Sequence, residues 1–424
     1  MRLSFKCRPE AVTLTRVLVC GIDGYLGWPL ALRLESQGFE VHGIDNFSRR
    51  KMVREVGSWS ATPIARMEAR LSAAQEVLGA KITFLEGDLR EYNDVARIVR
   101  KSKPDAIIHL GEQPSAPYSM IDQEHAVFTQ ENNVTGTLNI LFAMKEWAPN
   151  AHLVKLGTMG EYGTPDIDIP EGFFDVEFRG RRARLPFPRQ AGSFYHLSKV
   201  HDSANIALAC KIWGLRSTDV MQGVVYGSST NETEDDQLMT RFDFDESFGT
   251  VINRFCAQAV IGYPLSLYGL GGQRRGFIAL VDSIKCLSIA VENPPDPGEY
   301  RVFNQLDEVY SVRELAEYVS RTGDGLGLQV KIGTVENPRV EQENHHYNVD
   351  HDHLRKLGFQ PTRSLEGELE IMLRDLVRFK DRIAAKRNVI APKVRWRAGV
   401  ASLEPVYAQT ERVAEPEATV SVVP

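Results

Sequence analysis

The sequence predicts an α/β fold, a doubly wound parallel sheet with a smaller α/β lobe attached, and three observations carry that prediction. The first is a valine-rich apolar run, Val17 to Cys20, that turns through Gly21, Gly24 and Gly27 into an apolar-periodic helix around Leu30 to Leu34. The second is another short run, Phe39 to Asp45, which ends in a carboxylate about 20 residues beyond the glycines. The third is rhythm. Strand-like runs at Lys81–Leu89, Pro104–Leu110, His152–Gly157 and Ser217–Val225 alternate with helical patterns, as a parallel sheet covered on both faces requires.

Each element has a local reason. Glycines spaced by two residues let the main chain approach a pyrophosphate, whose charge then meets the free N–H groups of the following helix, so the turn reads as a Rossmann-type dinucleotide cradle. Asp45 at the second strand end can accept hydrogen bonds from both adenosine ribose hydroxyls and repels a 2′-phosphate. NAD is therefore expected rather than NADP, although Arg49 and Arg50 follow closely. Ile64, Met67, Leu71, Ala74 and Leu78 keep helical spacing and read as a packing helix. Asp88, at the end of the third run, can meet an adenine amino group. After the fourth strand and the segment Gly111–Met120, a long helix is expected through Asn132, Asn133, Leu138 and Leu141. The stretch from about Glu161 to Gln190, with its run Arg179–Arg184, reads as a solvated hairpin or loop over the site. A helix is expected from about Ser193 to Trp213, and a last one over Leu365–Ala385.

At 424 residues the chain can bury a large core, and the expected division is an extension over 1–14, a cofactor-binding domain over 15–226, a substrate lobe over 227–397 and a disordered tail over 398–424. A net charge of −6 argues against nucleic-acid and membrane surfaces as partners. Five cysteines without paired spacing indicate neither a disulfide frame nor a metal site, which fits a reducing, cytoplasmic setting. No run approaches membrane-span length.

The chemistry gathers at Tyr195 and Lys199, placed at i and i+4 on one helix face, with Thr158 just past the end of the fifth strand. A lysine ammonium near the phenol favours phenolate, so Tyr195 is read as the base, Lys199 as the cation that activates it, and Thr158 as a partner of the same substrate hydroxyl.

The glycine pattern, Asp45, Asp88, Asn132, Thr158, Tyr195 and Lys199 together resemble an extended short-chain dehydrogenase/reductase acting on nucleotide sugars. The segments Gly111–Gln113, Ser115–Asp122, Leu156–Thr164, Phe194–Asp202, Gln222–Gly227 and Asn337–Glu341 are similar to the UDP-sulfoquinovose synthase family over about residues 15 to 396. The resemblance implies a cycle in which C4 of UDP-glucose is oxidised, water leaves from C5 and C6, sulfite adds at C6 and C4 is reduced again, with NAD regenerated in place. It implies cofactor contacts at Gly21, Asp23, Gly24, Tyr25, Leu26, Gly27, Asp45, Asn46, Phe47, Ser48, Arg49, Asp88, Leu89, Leu110, Glu112, Asn132, Tyr195 and Lys199. Sugar-nucleotide contacts are implied at Gln113, Pro114, Thr158, Gln222, Asn253, Tyr268, Arg274, Arg275 and Arg339, and a homodimer paired through the helices of Asn132 and Tyr195.

Sugar 4,6-dehydratases carry an Asp-Glu pair after the threonine, where this chain has Met159 and Gly160. Glu161 and His196 are therefore the nearest candidates for proton transfer at C5 and C6. Two further departures, Pro114 where the family has arginine and Arg274 beside Arg275, open a second reading: an NDP-sugar 4-epimerase or epimerase/dehydratase. A third reading, an NAD-binding protein without turnover, is opposed by the intact Thr158, Tyr195 and Lys199.

Overall fold

The computed structural model describes residues 16–341, 344–394 and 396; the extension and tail expected at the two ends lie outside them. Five strands follow one another as expected: β1 (Arg16–Cys20), β2 (Glu40–Asp45), β3 (Ile82–Glu86), β4 (Ala106–His109) and β5 (His152–Thr158). Helices α1 (Gly27–Ser36), α2 (Ser48–Glu55), α3 (Met67–Leu78), α4 (Tyr92–Ser102), α5 (Gln123–Gln130) and α6 (Gly136–Trp147) lie between them. Along β1 the side chains alternate. Val17 and Val19 enter one core with Leu30 and Leu34, and Leu18 and Cys20 enter another with Ile98 and Ile140. Both faces are covered, which is why the run is apolar at every position.

After β5 the chain makes an antiparallel hairpin, β6 (Phe173–Phe178) and β7 (Arg181–Pro186), whose basic second strand is exposed throughout. Helix α7 (Phe194–Trp213) follows, with the Ser193 side chain accepting from the His196 N–H as its cap. The next expected strand, Ser217–Val225, is broken. It forms β8 (Arg216–Gln222) in the main sheet and β9 (Val224–Tyr226) in another. The break is Gly223, where a Cβ would lie 2.7 Å from the Gly276 carbonyl oxygen.

The remaining elements are α8 (Val251–Val260), β10 (Leu265–Tyr268), β11 (Arg274–Ala279), α9 (Leu280–Glu292), β12 (Tyr300–Gln305), β13 (Glu308–Ser311), α10 (Val312–Gly325), β14 (Ile332–Val335), α11 (Asp352–Lys356), α12 (Leu365–Val377) and α13 (Lys380–Ala384). The main sheet has seven strands in the order β12-β8-β5-β4-β1-β2-β3, every neighbour parallel. Residues beyond 226 are thus not confined to the second lobe: β12 returns to the main sheet, and α9 packs against α1. A separate core gathers Phe255, Leu315 and Leu369 from α8, α10 and α12, with Trp59 and Ala61 from the earlier part of the chain.

Two helices differ from expectation. The long helix through Asn132 and Asn133 contains a π-turn, Glu131–Thr135, between α5 and α6. The buried Asn133 amide sits in it, holding both main-chain polar groups of Gln113 and donating to Ser198 Oγ at 2.9 Å. Those bonds compensate for the irregular turn. The last helix stops at Val377 and resumes as α13 at Lys380.

Candidate active site

One cavity of about 590 Å³ runs along the carboxyl ends of the main-sheet strands, from Gly21 at one end, past Thr158 and Tyr195, to Arg275 and Arg339 at the other. Ligands of doubly wound sheets bind at this edge.

The β1–α1 turn fits a dinucleotide. Gly21 has φ +85°, and a Cβ there would come within 2.8 Å of the Gly111 backbone; at Gly27 it would lie 2.1 Å from the Gly21 carbonyl oxygen. No side chain caps the start of α1, so its free N–H groups are left to an anion. Asp45 lines the cavity. Its carboxylate accepts from the Asp23 N–H at 2.9 Å and the Phe47 N–H at 2.7 Å, and burial beside Asp23 pushes its pKa up to about 6. Tyr25, Leu26, Asn46, Ser48, Arg49, Leu89, Leu110, Glu112 and Asn132 line the same end.

Three expected cofactor residues stand elsewhere. The Asp23 carboxylate turns away to Arg50 (2.6 Å) and Arg70 (2.7 Å), which hold it below the usual carboxylate range against the cost of burial. Phe47 packs its ring on Phe84, and Asp88 pairs with Arg90 at 2.8 Å. The two arginines after β2 are also engaged, Arg50 by Asp23 and Arg49 by Asp243 at 2.8 Å, with the Arg49 cation 4.0 Å above the Phe248 ring.

At the centre, Thr158 ends β5 and lines the cavity with Tyr195, its Oγ1 accepting from the Gly160 N–H at 3.2 Å. The cation expected to act on that phenol is otherwise engaged. The Lys199 ammonium is bound by the Glu112 carboxylate and donates to the Leu156 carbonyl at 2.6 Å, 5.9 Å from the Tyr195 ring centre. Burial brings the Lys199 pKa down to about 8 and pushes that of Tyr195 up, and the cation that opposes the latter is Lys155.

His196 lines the cavity and its Nδ1 meets Ser193 Oγ at 3.0 Å. Burial, with Arg339 and Arg275 nearby, lowers its pKa to about 3, so the imidazole is neutral at pH 7. Gly160 lies under it: a Cβ there would sit 2.4 Å from His196 Cδ2 and Nε2. The imidazole thus occupies the space that a side chain at 160 would need. Glu161 does not reach the cavity. It is buried against Lys155 (3.2 Å), Ser203 (2.9 Å) and Arg189 (3.5 Å), and burial raises its pKa to about 7.

At the far end, Pro114, Gln222, Tyr268, Arg275 and Arg339 line the cavity. Gln113, Asn253 and Arg274 do not. The Gln113 amide is spent on Ser115 and Thr129, and Asn253 accepts from the Gly227 N–H. Arg274 and Arg275 are successive residues of β11 and point to opposite faces, so Arg274 pairs outward with Glu314 at 3.5 Å. Arg275 is held by Glu341 and by His345 Nε2 at 2.8 Å, and the Arg339 cation lies 5.1 Å from the Trp396 ring.

Arg254, which the sequence places in the substrate lobe in a segment separate from Arg275 and Arg339, also lines the cavity. It is 5% exposed, its Nε lacks a hydrogen-bond partner and its cation lies 5.0 Å from the Tyr268 ring. It is the one charged residue of α8, beside the polar Asn253 and Gln258. Among the described residues no group of His, Cys, Asp and Glu is placed to hold a metal, and no helix is long and apolar enough to cross a membrane. The four cysteines described are free and buried.

Comparison with known proteins gives consistent matches. The model of the NAD dependent epimerase/dehydratase family matches residues 17–304. UDP-sulfoquinovose synthase of Sulfolobus acidocaldarius is 51% identical over 90% of this chain and 98% of that protein. The chloroplastic UDP-sulfoquinovose synthase of Spinacia oleracea is 50% identical over 90% of this chain and 79% of that protein. Among solved structures, UDP-glucose 4-epimerase from Bifidobacterium longum in complex with NAD+ and UDP superimposes with TM-score 0.65 at 17% identity, covering 89% of this chain and 100% of that one. That last likeness concerns the fold.

Proposed function

The chain belongs to the NAD-dependent epimerase/dehydratase family, among the UDP-sulfoquinovose synthases, and from that premise we propose that it converts UDP-glucose and sulfite to UDP-sulfoquinovose. It is an NAD-dependent enzyme of nucleotide sugars. The observation that carries the proposal is the single cavity joining the glycine cradle, Thr158, Tyr195 and His196 to the arginines beyond.

NAD, when bound, supplies the hydride acceptor that makes C4 a ketone and the donor that later reduces it. The residues of this chain do the rest. Arg254, Arg275 and Arg339 hold the diphosphate, as fixed cations with forked donors. Thr158 orients the C4 hydroxyl and Tyr195 takes its proton. The ketone acidifies the C5 hydrogen, which the neutral His196 is in the right protonation state to accept. The imidazolium then returns that proton to the C6 hydroxyl, which departs as water. Bisulfite adds through sulfur to C6 of the enone while its proton passes to C5, and Tyr195 gives its proton back to the C4 oxygen as C4 is reduced.

One observation favours a second reading, an NDP-sugar 4-epimerase or epimerase/dehydratase. Pro114 brings no cation to the cavity, and Arg274 is turned out of it. Mass spectrometry of products from UDP-glucose, with and without sulfite, separates the two. A product in which sulfonate replaces a hydroxyl supports the synthase, and an isomer formed equally without sulfite supports the epimerase.

We further propose a homodimer formed through α6 and α7, because Phe142, Leu197, Leu208 and Ile212 leave an apolar surface on those helices. A reducing cytoplasm is the proposed setting, supported by the four free thiols.

A further inference from the structure

Behind Tyr195 lies a second cluster of charge that lines no part of the cavity. Lys155, in the middle of β5, is completely buried. In register it stands beside His109 on β4 and Asp219 on β8, so a row of ionisable side chains crosses the sheet under α7. Its ammonium is 3.2 Å from Glu161 Oε1 and 3.5 Å from Asp219 Oδ1. It also donates to Ser203 Oγ at 3.1 Å and to the main-chain carbonyl of Lys199 at 3.3 Å, both on α7. Gly157 makes room for this: a Cβ there would lie 2.5 Å from Asp219 Oδ1. Apolar residues would fill such a position without the desolvation cost of a buried ion cluster, so the charge calls for a reason other than stability.

We propose that Lys155 is a positioning residue for the reaction, pinning α7 at Lys199 and Ser203 and supplying the buried positive charge beneath Tyr195 while Glu112 occupies Lys199. This rests on Tyr195 being the proton acceptor, as read above. The groups around the phenol come from several elements. Lys199, Asp202 and the neutral His196 are on α7 itself, and Glu161 follows β5. Asp219 on β8 is capped by the Tyr300 hydroxyl from β12 at 2.7 Å, Arg189 approaches Glu161, and His109 on β4 is kept neutral by burial. Within this set Lys155 favours the phenolate, whereas Glu161 and Asp202 oppose it.

The test is the pH profile of kcat for wild type, Lys155→Met and Lys155→Arg, with bound NAD and melting temperature measured alongside. Lys155→Met is expected to hold NAD and to lose about tenfold or more in kcat at pH 7. Its acid limb should move to higher pH, so that the deficit shrinks as pH rises, and Lys155→Arg should restore most of the rate. If Lys155→Met does not fold, Lys155→Met/Asp219→Asn removes the stranded carboxylate at the paired position and should show the same upward move. An acid limb that stays in place, or a loss equal at every pH, overturns the proposal. With an active wild type, that result sinks this inference alone; a wild type inert on every nucleotide sugar sinks both this and the function proposed above.

Discussion

Replacing Gly160 by alanine tests the role of His196 most directly. The new methyl would sit 2.4 Å from two ring atoms of His196, and relief to the 3.4 Å of ordinary contact requires the imidazole to move. The ring is also tied to Ser193 at 3.0 Å, so the move strains or breaks that bond. Displacing a catalytic group by about 1 Å costs on the order of 100-fold in rate, and overpacking a filled site costs about 1–3 kcal/mol of stability. The assay is uptake of deuterium at C5 of UDP-glucose in D₂O, followed by mass spectrometry, with bound NAD and melting temperature as controls. Exchange should fall about 100-fold while NAD stays bound, since the glycine cradle and Asp45 are untouched. Gly160→Ala/His196→Ala should regain the lost stability, because the clash is gone, yet remain without exchange. Exchange in Gly160→Ala within about twofold of wild type, a cost far below that expected of a displaced base, would remove His196 from the C5 step.

Arg275→Ala should weaken UDP binding about 10- to 150-fold, the equivalent of one charged hydrogen bond, whereas Arg274→Ala should leave it nearly unchanged; calorimetric titration compares them. Glu161 has a folded pKa raised by burial to about 7, so its contribution to stability is complete below its usual carboxylate pKa and is lost as pH rises through 7. Glu161→Gln should therefore gain in melting temperature relative to wild type between pH 5 and pH 8, and an unchanged difference across that range would contradict the raised value. Leu208→Arg, on the exposed apolar face of α7, should yield monomers by light scattering; an unaltered mass would move the interface elsewhere.

The fold and the site are legible in the sequence where one face or one turn sets the geometry. The β1 run, the glycine turn, Asp45 and the Tyr195–Lys199 spacing are local patterns, each bound to a local geometry. Partnerships between side chains are less legible. Asp23 sits in the right turn but is claimed by Arg50 and Arg70, which arrive from elsewhere, and Asp88 is claimed by Arg90 two residues on. Glu161 is next to the expected acid–base positions in the chain yet faces Lys155. Arg274 and Arg275 differ only in strand parity, which depends on where β11 begins.

The amino-acid order by itself determined the layered α/β architecture, the glycine turn and the shared helix face of Tyr195 and Lys199, because hydrophobic period, glycine freedom and helical spacing act over a few residues. Only the folded chain decided which charges meet. The break at Gly223, the return of β12, the burial of Lys155 beneath α7 and the presence of Arg254 in the cavity all join segments far apart in sequence. Electrostatic partnership depends on distance and burial through space, and neither is written in the spacing of residues along the chain.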